Sequence, residues 1–194
     1  MVTKLNACPP TGGARLPPGR FHLCETRLGW IGLVLSPSGP TGVCLRATTL
    51  PRPSRDEALR DVAEMGALEP ASENDAGDLP RRLRAFADGR PVDLTADIDW
   101  NSLSADGRSI SAFRRAVLEE TMRIPAGETR SYGWLAAQVG RPRAARAVGR
   151  VMATNPLPVV VPCHRVVGSD GSLRGYAAGL DVKAELLRLE GARG

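Results

Sequence analysis

An α/β half built from a small sheet with helices, followed by a mostly α half containing a helix-turn-helix, is the fold class this sequence predicts. Short apolar runs separated by proline and glycine turn signals fill residues 21–98. Beyond residue 108 the apolar spacing becomes helical. Two short helices then meet across Gly140-Arg141-Pro142, the tight junction expected of a helix-turn-helix. The division is a flexible arm over 1–20, an α/β domain over 21–100 and a helix-turn-helix domain over 108–194.

Proline and glycine dominate residues 1–20, where no periodicity appears. Phe21–Glu25, Trp30–Leu35 and Gly42–Ala47 read as strands. Ser54 is placed to cap a helix running to about Met65, with Asp56 and Glu57 in its first turn. Pro70 to Asp78 reads as an acidic loop, Pro80 opens a helix ending near Gly89, and Val92–Ile98 is a closing strand. Asp99 to Gly107 is the polar link. Ser109 begins a helix that stops before Ile124-Pro125, and Ser131–Val139 is a second, ended by Gly140. Pro142 opens a third, to about Ala153. Val159–Val161 reads as a short buried strand, Asp170-Gly171 as a turn, and Asp181 as the cap of the last helix, with Gly191 beyond it.

Hydrophobic residues make up 42% of the 194 residues, enough for a core, and aromatics only 4%, so Leu, Val and Ala must build it. No apolar run approaches the roughly 20 residues that span a bilayer, and no signal-peptide stretch is present. A cytoplasmic protein with reduced thiols and no membrane association is the expectation. Cys8, Cys24 and Cys44 form no CxxC pair, and Cys24 and Cys44 read as small buried hydrophobes. Net charge is +5, divided unevenly: residues 1–100 carry 12 basic and 13 acidic groups, residues 101–194 carry 14 and 8. Six arginines and no acid lie between Thr129 and Ser169. A single-sign stretch of that length on helices is the footprint of a polyanion partner.

On the third of these helices Arg143, Arg146 and Arg150, at i, i+3 and i+7, are read onto one face. Ala144, Ala145, Ala147 and Gly149 keep its first turns slim, which suits entry into a nucleic-acid groove. Cys163-His164 is the chemical centre: a thiolate is a strong nucleophile, but a free thiol needs a base or a positive field, such as Arg165 would supply, to ionise. Adjacent residues of a strand point to opposite faces. Either Pro162 marks a turn that brings thiol and imidazole together, or a water bridges them.

The run Asn155-Pro156-Leu157-Pro158 through Pro162-Cys163-His164-Arg165-Val166-Val167 resembles the signature of the O6-alkylguanine-DNA alkyltransferases. Ile124-Pro125-Ala126-Gly127-Glu128-Thr129-Arg130-Ser131-Tyr132, Arg143-Ala144-Ala145-Arg146-Ala147-Val148-Gly149, Gly175-Tyr176 and Leu186 to Gly191 are similar to the same family. The likeness covers roughly residues 110 to 191. It implies a ribonuclease H-like N-terminal domain, a winged helix-turn-helix C-terminal domain, a monomer, and double-stranded DNA containing O6-alkylguanine as partner, with O4-alkylthymine left open. Cys163 would accept the alkyl group once and irreversibly, with no cofactor. His164 would act as base through a water, oriented by Glu190, and Asn155 would hold the turn before the cysteine. Tyr132 would help rotate the nucleotide and donate a proton to the leaving guanine, and Arg146 would fill the gap in the duplex. Gly133, Arg143 and Arg150 would join the DNA contacts, and Met152, Val166 and Tyr176 would form the base pocket. Ala177 and Ala178 depart from the pattern, which leaves the range of alkyl groups open. Cys8, Cys24 and Cys44 do not line up with the zinc ligands of some members, so no metal is expected. Relatives that bind lesions without repairing them carry tryptophan at the acceptor position, and Cys163 argues against that alternative; a thiol hydrolase acting on small molecules would instead turn over and release product beyond one equivalent.

Overall fold

Apolar residues recurring from Gly19 onward assemble a four-stranded sheet in the computed structural model, which describes residues 19–36, 44–94, 98–100 and 110–192. Two compact units form, one within Met1–Ala87 and Val92–Ile110, the other within Asp88–Pro91 and Ser111–Gly194. The first is α/β and the second mainly helical.

In the first unit β1 (Gly19–Thr26), β2 (Gly29–Ser36) and β3 (Cys44–Thr48) pair antiparallel, and β4 (Ala67–Pro70) adds to β1 in parallel, giving the order β3-β2-β1-β4. Every residue of Ile31–Ser36 is buried, as a strand covered on both faces requires. Helix α1 (Arg55–Glu64) starts where Ser54 accepts the Glu57 amide at 3.3 Å and buries Ala58 and Val62. Val62 packs with Val34, Ala47 and Ala67, and a Cβ at Gly32 would collide with it, so that glycine admits the helix onto the sheet. Helix α2 (Leu79–Ala87) buries Leu79, Leu83 and Phe86.

Several expectations need correction here. Pro70–Asp78 is not simply a loop: Pro70 ends β4, and Asn74–Ala76 forms a 3-10 turn. Residues 92–94 are not strand, and Ile98 makes only a single bridge to Leu45. Residues 95–97 lie outside the described residues. The polar link begins buried, with Asp99 and Trp100 at 1% and 3% exposure, and its remainder lies outside the described residues. The arm over 1–20 also lies outside them, apart from Gly19 and Arg20, which open β1. Cys24 and Cys44 are both fully buried, as their strand positions suggest; Cys44 is disulfide-bonded, and Cys24 and Cys163 are free.

In the second unit α3 (Ala112–Met122) is capped by Ser111, not Ser109, which is outside the described residues. The two-residue strands β5 (Arg130–Ser131) and β6 (Val166–Val167) pair in parallel and were not legible as strands because each is too short for alternation. Helix α4 (Tyr132–Gln138) is capped by Ser131 and ends in a Schellman motif: Gly140 takes φ +72°, and Arg141 N donates to Ala136 O at 2.8 Å. Helix α5 is Ala145–Ala153, three residues shorter at its start than Pro142 suggested. Pro142 instead occupies the second position of a turn closed by Ala144 N to Arg141 O at 2.8 Å, a place its fixed φ equally suits.

Val159–Val161 is a turn, not a strand. Val161 N donates to Leu157 O at 2.7 Å and Val159 adopts φ +73°. Its apolar character reflects burial, since Leu157 and Val159–Val161 are all at most 4% exposed. Helix α6 (Leu180–Leu189) starts from Gly179, with Asp181 in its first turn rather than at its cap. It ends in a second Schellman motif, with Gly191 at φ +72° and Ala192 N bonded to Leu187 O at 3.0 Å. Among the described residues no helix is long and apolar enough to cross a membrane, and no group of three or more His, Cys, Asp or Glu is arranged to hold a metal.

Candidate active site

The chain reaches Cys163 through two nested turns. Asn155 accepts the Leu157 amide at 3.0 Å through Oδ1 and donates through Nδ2 to Val161 O at 2.9 Å. That same carbonyl accepts Cys163 N at 2.7 Å across Pro162, whose φ −77° and ψ 63° are those of an inverse γ-turn. Cys163–Arg165 then forms a 3-10 turn, with Arg165 N bonded to Pro162 O at 2.9 Å. The cysteine and histidine therefore lie in a turn rather than a strand, and the imidazole of that turn is directed to Glu190.

His164 is fully buried, and its Nε2 meets Glu190 Oε1 at 3.0 Å. Arg165 grips the same carboxylate with two donors, Nε to Oε2 at 2.9 Å and Nη2 to Oε1 at 2.7 Å, and donates Nη1 to Ile124 O. Glu190 is the C-cap residue of α6, where the Gly191 turn fixes its direction. Burial pushes its pKa up, but the hydrogen bonds and charges of His164 and Arg165 outweigh that and hold it at about 2. His164 is shifted down because burial disfavours the imidazolium more than Glu190 favours it. A neutral imidazole backed by a fixed carboxylate can accept a proton.

Burial also pushes the Cys163 thiol up; the Asn155 amide, the Tyr176 hydroxyl and the Lys183 charge pull it back only partly. The resting group is a protonated thiol that needs a base. Lys183 is fully buried on α6, donates to Val166 O at 2.7 Å and to Arg174 O at 3.3 Å, and lies 5.9 Å from the centre of the Tyr176 ring. The Tyr176 hydroxyl is buried beside the Cys163 thiol. Its pKa is raised by burial and by the neighbouring Cys163. Tyr132, half-buried at the start of α4, is likewise raised by burial and then by Cys163, with Arg174 acting the other way. Val166 is buried in β6, and the Met152 sulfur lies 3.8 Å from the Thr121 hydroxyl of α3.

The α4–α5 surface has a different character. Gly133, Arg143, Arg146 and Arg150 are all exposed. Arg146 and Arg150 stand at i and i+4 on α5, whose Val148, Val151 and Met152 turn inward. Arg143 precedes the helix, so the three arginines do not share one helical face. Of the other arginines in this stretch, Arg130 pairs with Glu128 and lies over Trp134 at 5.3 Å, and Arg141 lies over Phe113 at 5.5 Å.

Residues 112–192 match the model of the 6-O-methylguanine DNA methyltransferase DNA-binding domain. The methylated-DNA–protein-cysteine methyltransferase of Mycolicibacterium paratuberculosis is 56% identical over 109 residues, 56% of this chain and 61% of that protein. The chain spans about half the length of the curated relatives it matches. The crystal structure of the Mycobacterium tuberculosis O6-methylguanine methyltransferase superposes with a TM-score of 0.66 at 30% identity, over 91% of this chain and 94% of that one. The Mycobacterium tuberculosis protein OGT in complex with DNA matches at 31% identity and a TM-score of 0.67, over 89% and 92%. The chain belongs to the O6-methylguanine methyltransferase family.

For this methyltransferase family member the structure gathers a cluster around the acceptor turn: Asn155 and the Cys163 amide share the Val161 carbonyl, His164 meets Glu190, and Tyr132 and Tyr176 are close enough for the cysteine to shift both phenols. Two members of the cluster were missed in the sequence. Arg165 was read only as a source of positive field, not as the second partner of Glu190. Lys183 was not singled out, although it is one of only two lysines among 26 basic residues and stands three and four positions before Leu186 and Leu187, on the apolar stripe of its helix.

Proposed function

We propose that this protein repairs double-stranded DNA by transferring the alkyl group of O6-alkylguanine irreversibly to Cys163, once per molecule. The observation that carries this reading is a buried thiol in a rigid turn, followed directly by a neutral histidine whose far nitrogen is held by an ionised glutamate. A catalyst that turned over would need a way to cleave the product, and a thioether resists hydrolysis.

The O6 carbon is inaccessible in a stacked duplex, so the nucleotide must be extruded. Arg146 on the slim face of α5 occupies the gap, as inserted side chains do elsewhere. Gly133, Arg143 and Arg150 contact the backbone around it. The flipped base enters between Tyr176, Val166 and Met152. His164 takes the Cys163 proton through a water, leaving Glu190 to stabilise the imidazolium. The thiolate attacks the alkyl carbon, an S–C bond forms and the C–O6 bond breaks. Tyr132 gives its proton to the departing guanine and recovers one from solvent. A ribonuclease H-like N-terminal unit is supported by the β3-β2-β1-β4 order with β4 parallel to β1, and a winged C-terminal unit by the β5–β6 pair beside α4.

Intact-mass analysis after incubation with a duplex containing O6-methylguanine tests the proposal. One methyl group is expected on the Cys163 peptide, and none on a Cys163→Ala protein that still binds DNA. An unmodified wild-type thiol beside unrepaired lesion would refute it, and product beyond one equivalent would point to a hydrolase.

A further inference from the structure

Arg114 has no part in the reaction just described, yet its surroundings are unusual for a surface arginine. It lies in the first turn of α3, half-buried, and reaches across the unit to donate from Nη2 to Thr154 O at 2.5 Å. Its Nε is buried with no hydrogen-bond partner. Burial works against its charge, and no carboxylate is paired with it among the described residues. A buried donor left unsatisfied costs stability, so an arginine in this setting calls for a reason other than stability.

The carbonyl it holds is informative. Thr154 is the C-cap of α5, and its own hydroxyl turns back to Arg150 O at 3.0 Å. The last carbonyls of a helix have no partner within it and carry partial negative charge, so a guanidinium there is bound both by hydrogen bond and by the helix dipole. The residue that follows, Asn155, is already fixed to the acceptor turn through Leu157 N and Val161 O. The acceptor turn is thus pinned locally, whereas the end of α5 is tied to α3 by Arg114.

We propose that Arg114 is a positioning residue that seats the C-terminal end of α5, and with it Arg146 and Arg150, for productive engagement of duplex DNA. The inference rests on the alkyl-transfer reading above. A free O6-benzylguanine base needs only the acceptor pocket and is insensitive to the tie; a lesion within a duplex needs α5 in register with the strand.

The test compares single-turnover alkylation of full-length Arg114→Met protein by a saturating O6-methylguanine duplex and by free O6-benzylguanine. The duplex reaction is expected to slow about tenfold, the scale of one charge-assisted hydrogen bond, with the free-base rate and Tm unchanged. Arg114→Lys, which keeps a charged donor, recovers most of the duplex rate. Equal slowing on both substrates, a fall in Tm, or a wild-type duplex rate would overturn the proposal. So would a salt dependence of DNA binding shallower by about one phosphate contact, which would make Arg114 a direct DNA ligand. A wild-type protein inert toward both substrates would overturn the functional reading as well, so the two failures are separable.

Discussion

The acceptor turn and the α4–α5 surface belong to the same helical unit but are built on opposite principles. Around Cys163 the polar groups are buried and tied to one another: His164 is fully buried, the Glu190 side chain is 3% exposed, and the carbonyls of Val161 and Val166 each have a side-chain donor. On α5 the arginines are exposed and the helix lacks a side-chain N-cap. Low dielectric and fixed partners let the first region shift proton affinities, because burial and hydrogen bonds act there at full strength. Solvent weakens the same interactions on the second region and leaves its charges available to a polyanion. Chemistry is concentrated where substitution should be expensive, and recognition where it should be cheap.

The sharpest way to break that contrast is Glu190→Gln. It leaves Arg165, 14% exposed at its side chain, without a counter-charge, and a disrupted buried pair costs about 3 kcal/mol or more. Thermal unfolding should record that loss, and the alkylation rate should fall on the order of a hundredfold as His164 loses its anionic support. If both stay near wild type, the buried network is not what the reaction uses.

Asn155→Ala comes next. It leaves Val161 O with one donor fewer and Leu157 N without its side-chain acceptor, a loss of about 1–3 kcal/mol measurable by urea denaturation. The rate with free base should drop along with the duplex rate, since the acceptor turn itself loosens.

Acid should destabilise this protein through the same cluster. The folded pKa of His164 lies below its ordinary 6.5, so the unfolded chain takes up that proton first and stability falls as pH drops below 6.5. Glu190, held at about 2 against an ordinary 4.5, contributes stability that is present above 4.5 and lost as pH falls toward 2. Tm measured between pH 7 and 5 should therefore decrease, and a His164→Gln protein should show a flatter slope over that window. A steeper slope in the variant would contradict the assignment.

Arg146→Ala should have the smallest effect on the fold and a clear one on binding. Tm should not move, as expected for an exposed side chain. Affinity for duplex should fall while the free-base reaction stays at the wild-type rate, a split measured by fluorescence anisotropy alongside mass analysis. Loss of both activities together would remove the distinction between the two regions.

Much of this architecture could be read from residue patterns because it is encoded locally. Ser54 caps α1 as its side chain predicts, and Gly140 and Gly191 end α4 and α6 through backbone conformations that favour glycine. The errors fell where one pattern serves two conformations. Val159–Val161 is as apolar as a buried strand but folds as a turn, closed by Val161 N on Leu157 O with Val159 at positive φ. Pro142 suits a helix start and a turn equally, and the turn closed by Ala144 decided between them. β4 and the β5–β6 pair are too short to show alternation, and exist only because a distant segment offers hydrogen bonds.

By itself the sequence determined the glycine stops of α4 and α6, the basic stretch without acids, and the run Pro162-Cys163-His164-Arg165, because each depends on residue type and near neighbours. Only the tertiary structure decided that Arg165 shares Glu190 with His164 across 25 and 26 positions, that Lys183 is buried beneath the acceptor segment, and that Arg114 ends on Thr154. The partners in each of these pairs are separated by loops and helices whose packing sets their distance. Protonation and positioning at Cys163 follow from that packing, since burial and the placing of distant charges are properties of the folded chain alone.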